Sequence, residues 1–325
     1  MKSYLLLASA AGLAVLAVVP AAQAAHKHHL SPAVAPAPVV EPVSSVGVTD
    51  AFASLSIGGA SLSGDDLSGL GSVSGLTVEG AASAAVSITP ALGAQGDVVY
   101  RTQQFGASND YLGGLNEHDF EAALHGFTRS DRYLAGAFAQ YGEGYGGFEG
   151  GLFGLDLTHV FGGVEGQYFV NDALTLYGQL GGKHYDFGDV ASATGLFGTF
   201  EARYFLQPDF RIDAHIGYET LNFDNGTGGT TPFGGGGQEN TFNIGVGAEY
   251  RLTGTPFSVF GKYDYANNSF SGQSGSVADN RVLVGVKFNF DAPTLLARDR
   301  SGASLKPVES HDFDYLGSII GTSVP

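Results

Sequence analysis

Over much of the chain, apolar residues recur at every second position. Phe242, Ile244, Val246, Ala248, Tyr250 and Leu252 alternate with Thr241, Asn243, Gly245, Gly247, Glu249 and Arg251. Phe210, Ile212, Ala214, Ile216 and Tyr218 alternate with Arg211, Asp213, His215, Gly217 and Glu219. Leu196, Phe200, Ala202, Tyr204 and Leu206 are interleaved with Thr199, Glu201 and Arg203, and Val282, Val284, Val286, Phe288 and Phe290 with Arg281, Leu283, Gly285, Lys287 and Asn289. A period of two marks strands, whose side chains point alternately to opposite faces. A protein core would not accept the charged set without partners. The apolar set is therefore read as facing outward and the charged set as facing inward.

The connections sort by length. Thr89 to Ala94, Ser130 to Arg132, Asn171 to Ala173, Gln207 to Asp209 and Thr253 to Pro256 are short and rich in turn formers. Gly142 to Gly154, Asp224 to Glu239 and Asn267 to Asp279 are longer and dominated by Gly, Ser, Thr, Asp and Glu. Short turns at one end and long loops at the other mark a membrane barrel. Runs starting near residues 51, 78, 94, 118, 133, 157, 174, 195, 210, 241, 257 and 280 predict about 12 strands, with 10 as the alternative. The first, fifth and sixth runs can be registered in more than one way. The predicted fold is all-β, a transmembrane up-and-down antiparallel β-barrel over residues 50–290.

Composition agrees with many strands and loops, since 50 glycines and 12% aromatics accompany only 14% charged residues. A net charge of −17 excludes nucleic acid, whose phosphates require a basic surface. Lys2, the apolar run Tyr4 to Val19 and the small residues of Ala22-Gln23-Ala24 read as a cleaved signal peptide over 1–24. The run is too short for a stable anchor. Residues 25–49 are rich in Pro and Ala and read as a periplasmic linker. Its His26, His28 and His29 offer weak metal binding as an alternative but are taken as a solvated N-terminus, so no metal and no cofactor are expected. Residues 291–325 are polar, contain Pro293 and Pro307, and read as a periplasmic tail, disordered by default, with a fold back into the lumen or contact with a periplasmic partner left open.

Gly166-Gln167-Tyr168-Phe169-Val170, Ala202-Arg203-Tyr204-Phe205-Leu206 and Ala248-Glu249-Tyr250-Arg251-Leu252 each precede a short turn. With the strand Val284-Gly285-Val286-Lys287-Phe288-Asn289-Phe290 and the segment Arg298 to Leu305, these hairpins make the chain resemble the outer-membrane β-barrel and porin-like proteins of Gram-negative bacteria, over most of residues 50–305. The resemblance implies that Gly285, Phe288 and Phe290 form the last-strand signal read by the barrel-assembly machinery. Two departures stand out: Leu283 occupies a commonly polar position, and the chain continues past Phe290. Tyr168, Tyr204, Tyr250, Phe288 and Phe290 are expected at the lipid interface.

The inner face carries the candidate chemistry. Parity places Arg101, Lys183, Arg203, Arg211, Arg251, Lys262, Arg281 and Lys287 inside, against Glu79, Asp97, Glu121, Glu165, Glu201, Asp213, Glu219, Glu249 and Asp264. So balanced a lining either frames a water-filled pore or closes into ion pairs that block it. The leading expectation is a narrow passive porin for small hydrophilic solutes, lined by Arg203, Arg211, Asp213, Glu219, Glu249, Arg251, Lys262 and Lys287. The alternative is a structural or surface barrel with a closed lumen. Its acidic loops, with Asp65, Asp66, Asp110, Glu143, Glu149, Asp224, Glu239 and Asp279, would meet lipopolysaccharide. The outward face suits lipid and equally a second copy of the chain, so a homo-oligomer stays open. His118, His125, His159, His184 and His215 offer bases, but no Gly-x-Ser-x-Gly elbow and no His-Glu-x-x-His pair accompanies them, so no enzyme is expected. An autotransporter translocation domain, also of about twelve strands, is discounted because only the short linker precedes the barrel.

Overall fold

A computed structural model describes residues 47–64, 72–106, 115–148, 154–188, 191–225, 237–271, 276–290 and 292–309. The expected signal peptide, nearly all of the linker and residues 310–325 lie outside the described residues.

Twelve antiparallel strands form one closed barrel in which each strand pairs with its sequence neighbours. The first four are β1 (Gly47–Gly64), β2 (Val73–Ser87), β3 (Leu92–Gly106) and β4 (Leu115–Arg129). Next come β5 (Tyr133–Phe148), β6 (Gly154–Asn171), β7 (Leu174–Asp186) and β8 (Ala191–Gln207). The circuit is completed by β9 (Phe210–Asn225), β10 (Gln238–Arg251), β11 (Phe257–Phe270) and β12 (Ser276–Asn289). β12 returns to β1 in a register running from Phe52↔Asn289 to Gly64↔Val277, which leaves no open edge. All twelve predicted runs are strands, the three ambiguous ones included.

The strands are longer than the sequence suggests, starting up to five residues early and extending into stretches that read as loops. Gly142–Gly147, for example, continues β5 and pairs with β6. Gly142 gives an inward side chain room, since an added Cβ would lie 2.1 Å from the ring of His159. Strands of 13 to 18 residues, at about 3.3 Å per residue and a tilt of about 40°, span roughly 33–45 Å, more than the hydrocarbon core of a bilayer.

The short turns are built by their own side chains. Asn171 Oδ1 accepts the N–H groups of Ala173 (2.9 Å) and Leu174 (3.0 Å). The Leu252 to Pro256 turn needs Gly254, whose φ of 71° suits glycine.

Past β12 the chain does not leave the barrel. Helix α1 (Leu295–Ser301), capped by Thr294 Oγ1 accepting Ala297 N–H at 3.0 Å, lies against the short turns. Leu296 N–H donates to Pro208 O at 2.9 Å and Arg300 Nη2 to Asn171 O at 2.7 Å. Residues 302–309 then run extended into the lumen. For the described part, 292–309, the structure replaces the disordered periplasmic default with the fold back into the lumen: Ala303, Leu305 and Val308 are among the most buried of the described residues.

Candidate functional site: a charged lumen filled by the chain's own tail

Outward positions carry a continuous apolar band. Leu55, Ile57, Leu124, Val164, Leu180, Leu196, Phe200, Ile216, Val246 and Val286 all point away from the lumen and are exposed. In water such a surface would far exceed the few hundred Å² that a monomer tolerates; hydrocarbon accepts it. No helix among the described residues is long and apolar enough to cross a membrane. The fold is that of an outer-membrane β-barrel. No protein-family model and no curated protein matches the sequence. Similar solved structures include the translocator domain of autotransporter NalP from Neisseria meningitidis, at 14% identity and a TM-score of 0.49, covering 75% of this chain and 89% of that one. An outer membrane channel from Pseudomonas putida F1 matches at 12% and 0.49, covering 77% and 100%. The toluene transporter TodX of Pseudomonas putida matches at 7% and 0.41, covering 74% and 89%.

Tyr168, Tyr204, Tyr250 and Phe290 are exposed outward, Phe288 half-buried beside them, all next to the short turns. Tyr168 stands in register with Tyr133, and Phe288 with Phe257, whose rings meet edge to face at 5.2 Å.

Inside the barrel, the ionic side chains are paired. Strand period makes residues i and i+2 neighbours on the inner face, which gives Arg203 Nε to Glu201 Oε1 at 2.7 Å, Arg211 Nε to Asp213 Oδ1 at 2.9 Å and Arg281 Nη2 to Asp279 Oδ2 at 3.4 Å. Cross-strand pairs complete the set. Lys287 Nζ lies 2.9 Å and Arg211 Nη2 3.4 Å from Glu249 Oε2, Arg101 Nε 3.1 Å from Glu79 Oε2, and Lys183 meets Glu219. Lys262 Nζ spans Glu79 Oε1 (3.3 Å) and Glu309 Oε1 of the tail (3.7 Å). Of the residues expected to line a pore, Arg211, Asp213, Glu219, Glu249, Lys262 and Lys287 border a single cavity of about 250 Å³. Arg203 borders a smaller one of about 50 Å³. Arg251 sits at the mouth, donating to Thr255 O at 3.3 Å and to Ala292 O.

The acidic residues expected on outer loops divide. Glu239 and Asp279 belong to strands and face inward, buried, while Glu143 and Asp224 are exposed on strands. Asp65, Asp66, Asp110 and Glu149 lie outside the described residues.

The tail occupies much of what the wall leaves. Gln95 holds Leu305 by both backbone groups, Nε2 donating to Leu305 O at 2.9 Å and Oε1 accepting its N–H at 3.1 Å. Gln140 grips Val308 in the same manner, at 2.9 and 2.8 Å. Gln167 exchanges hydrogen bonds with Ser304, and Gln179 Nε2 donates to Lys306 O at 3.0 Å. Asp50 accepts Ala292 N–H (3.2 Å), Ala303 N–H (3.1 Å) and Arg298 Nε (3.1 Å). Arg203 Nη1 reaches Asp299 Oδ1 at 3.0 Å and Ser304 O at 2.8 Å, and Thr175 Oγ1 donates to Asp299 Oδ2 at 2.5 Å. These pairings satisfy tail backbone groups that burial would otherwise leave without water.

The remaining contacts are apolar. Leu305 packs with Phe127, Leu134 and Tyr177. Val308 joins Phe138, Leu157, Phe161, Phe197 and Leu221. That second cluster adds to the expected polar lining: in the long-loop half of β5 to β9 aromatic and aliphatic side chains share the inner face with the Lys183–Glu219 pair. The missed residues, Gln95, Gln140, Gln167 and Asp50, all sit at inward parity. An uncharged amide at inward parity was the signal that could have drawn attention to the three glutamines, and Asp50 carried no such signal.

Of the histidines weighed as bases, His118 and His184 face outward. His125 is fully buried with Nδ1 2.7 Å from Glu165 Oε1 and Nε2 3.0 Å from Asp97 Oδ2, an arrangement that holds the ring in place.

Proposed function

We propose that this barrel is a narrow passive passage for small hydrophilic solutes in the outer membrane of a Gram-negative bacterium, and that residues 292–309 are its gate. The chain would arrive through a cleaved signal peptide and insert through the barrel-assembly machinery. Its apolar band would meet membrane lipid and lipopolysaccharide, and a homo-oligomer is compatible with that surface. The observation that carries the reading is how the tail is held. Most of its contacts are amide clamps and ion pairs, groups that water can replace, and the wall behind them is charged and borders a cavity. Withdrawing such a segment leaves a hydrated path, whereas withdrawing an apolar core would leave a void. The aromatic cluster in the long-loop half favours a second reading, a permanently closed structural or surface barrel. Neither reading includes catalysis.

Planar-bilayer conductance separates the two. A chain ended at Phe290 keeps β12 intact and places its aromatic residue at the terminus. This form should give stepwise currents, and the full chain should give rare or none. Silence from both forms, each shown to be folded, would assign the closed barrel.

A further inference from the structure

His215 of β9, Asp264 of β11 and Glu309 of the tail converge on one point of the lumen, their donor atoms all within 4.8 Å of one another. The three come from distant parts of the sequence, and a glycine lets two of them meet. In register, Gly245 of β10 stands directly between His215 and Asp264. A Cβ at Gly245 would lie 2.3 Å from His215 Cε1 and 2.5 Å from Asp264 Oδ1. The absent side chain allows the imidazole and the carboxylate to lean over the middle strand until Nε2 and Oδ1 are 3.7 Å apart.

Two further features point to a ligand. Asp264 is only 9% exposed, and its Oδ2 has no hydrogen-bond partner among the described residues. A buried carboxylate oxygen without a donor is costly, and a cation relieves it. His215, Asp264 and Glu309 also border the cavity of about 250 Å³, which supplies a route for an ion and room for a water in an open coordination position.

We propose that His215, Asp264 and Glu309 bind one divalent transition-metal ion of the zinc type. One imidazole nitrogen with two carboxylate oxygens is a donor set for such an ion, at metal distances of roughly 2.0–2.2 Å, so the donors must draw in by about an ångström. Lys262, 3.7 Å from Glu309, does not hold the site against the ion, because it lies closer to Glu79, at 3.3 Å, and keeps that partner when Glu309 turns. Arg101 and Arg281 are likewise engaged by Glu79 and Asp279. Since Glu309 belongs to the tail and the other ligands to the wall, the ion fastens the tail in the lumen. Its effect on conduction rests on the gate reading; the binding itself does not.

The test uses the full chain, folded in detergent, stripped with a chelator and carrying His26→Ser, His28→Ser and His29→Ser so that the N-terminal histidines do not compete. Calorimetry with Zn²⁺ should count a single ion per chain, and Co²⁺ should give visible absorption bands that Zn²⁺ displaces. Glu309→Gln, His215→Ala and Gly245→Ala should each weaken Zn²⁺ binding by about tenfold or more, with folding verified by the mobility of unheated protein on gels. Glu143→Gln, on the outer face, should leave binding unchanged. No saturable binding, equal affinity in all the variants, or full affinity in the chain ended at Phe290 would overturn the site. None of these results depends on whether the barrel conducts, so failure of the channel reading and failure of the metal site are distinguishable.

Discussion

Gln140, midway along β5, holds Val308 of the tail by both backbone groups, its Oε1 accepting the N–H at 2.8 Å and its Nε2 donating to the carbonyl at 2.9 Å. A side-chain amide here does what a neighbouring strand would do, presenting a donor and an acceptor at the spacing of a peptide. Gln140→Ala leaves both groups of Val308 without a partner, at a cost of about 1–3 kcal/mol. The chain has no cysteine, so a reporter introduced by Ala303→Cys, at a buried position, can follow docking. Its modification by a water-soluble maleimide should quicken by about tenfold when Gln140→Ala is added. An unchanged rate would show that the clamp does not hold the tail.

Arg203 is the ionic centre of the docked tail, serving Glu201 and Asp299 together while its guanidinium stacks 4.8 Å over Tyr177. Arg203→Ala removes the cation shared by two buried carboxylates, leaving Glu201 with Lys306 and Asp299 with Thr175 and Arg300, and should lower stability by about 3 kcal/mol. Arg203→Lys should restore only part, since an ammonium cannot fork to both partners. Denaturant unfolding in detergent, followed by tyrosine fluorescence, measures the order: wild type, Lys, Ala.

Two adjacent tail residues should differ sharply. Leu305 is 3% exposed in its apolar cluster, and Leu305→Ala should cost about 2–4 kcal/mol of docking. Lys306 meets Glu201 at 2.7 Å, yet its side chain is 42% exposed, so Lys306→Ala should cost less than about 1 kcal/mol. The Ala303→Cys reporter should therefore respond strongly to the first change and weakly to the second. Equal responses would mean that apolar packing does not anchor this segment.

The seam of the barrel depends on a glycine. A Cβ on Gly58 of β1 would lie 1.7 Å from Val282 O of β12, a backbone atom that can yield only if the two strands separate. Gly58→Ala should sharply reduce the folded fraction on unheated gels. Gly96→Ala, where an added Cβ meets nothing within 4 Å, should leave it intact.

The sequence made the wall legible because alternation carries two messages at once. It marked the strands, and the chemistry of each set told which face was which. Parity correctly placed Arg203, Arg211, Asp213, Glu249 and Lys287 inside and Leu196, Phe200, Ile216 and Val246 outside. Strand ends were less legible, because Gly-rich stretches such as Gly142–Gly147 have the composition of loops and yet pair as strands. Gly142 serves the neighbouring His159 ring, and that need appears only once the neighbour is known.

The candidate site divides in the same way. Which residues face the lumen follows from a two-residue period, which is local. Which of them meet does not: Gln140 and Val308, Asp50 and Arg298, or His215, Asp264 and Glu309 are joined by closure of the barrel and return of the tail. Nothing within a few residues of Leu305 or Val308 encodes the partners that bury them. By itself the sequence determined a barrel of about twelve strands, ten being the alternative, with an apolar outside and a charged inside. Only the tertiary structure decided that the charges pair and that the chain's own tail fills the lumen, because docking is a sum of contacts from many strands and closure alone brings those strands to one segment.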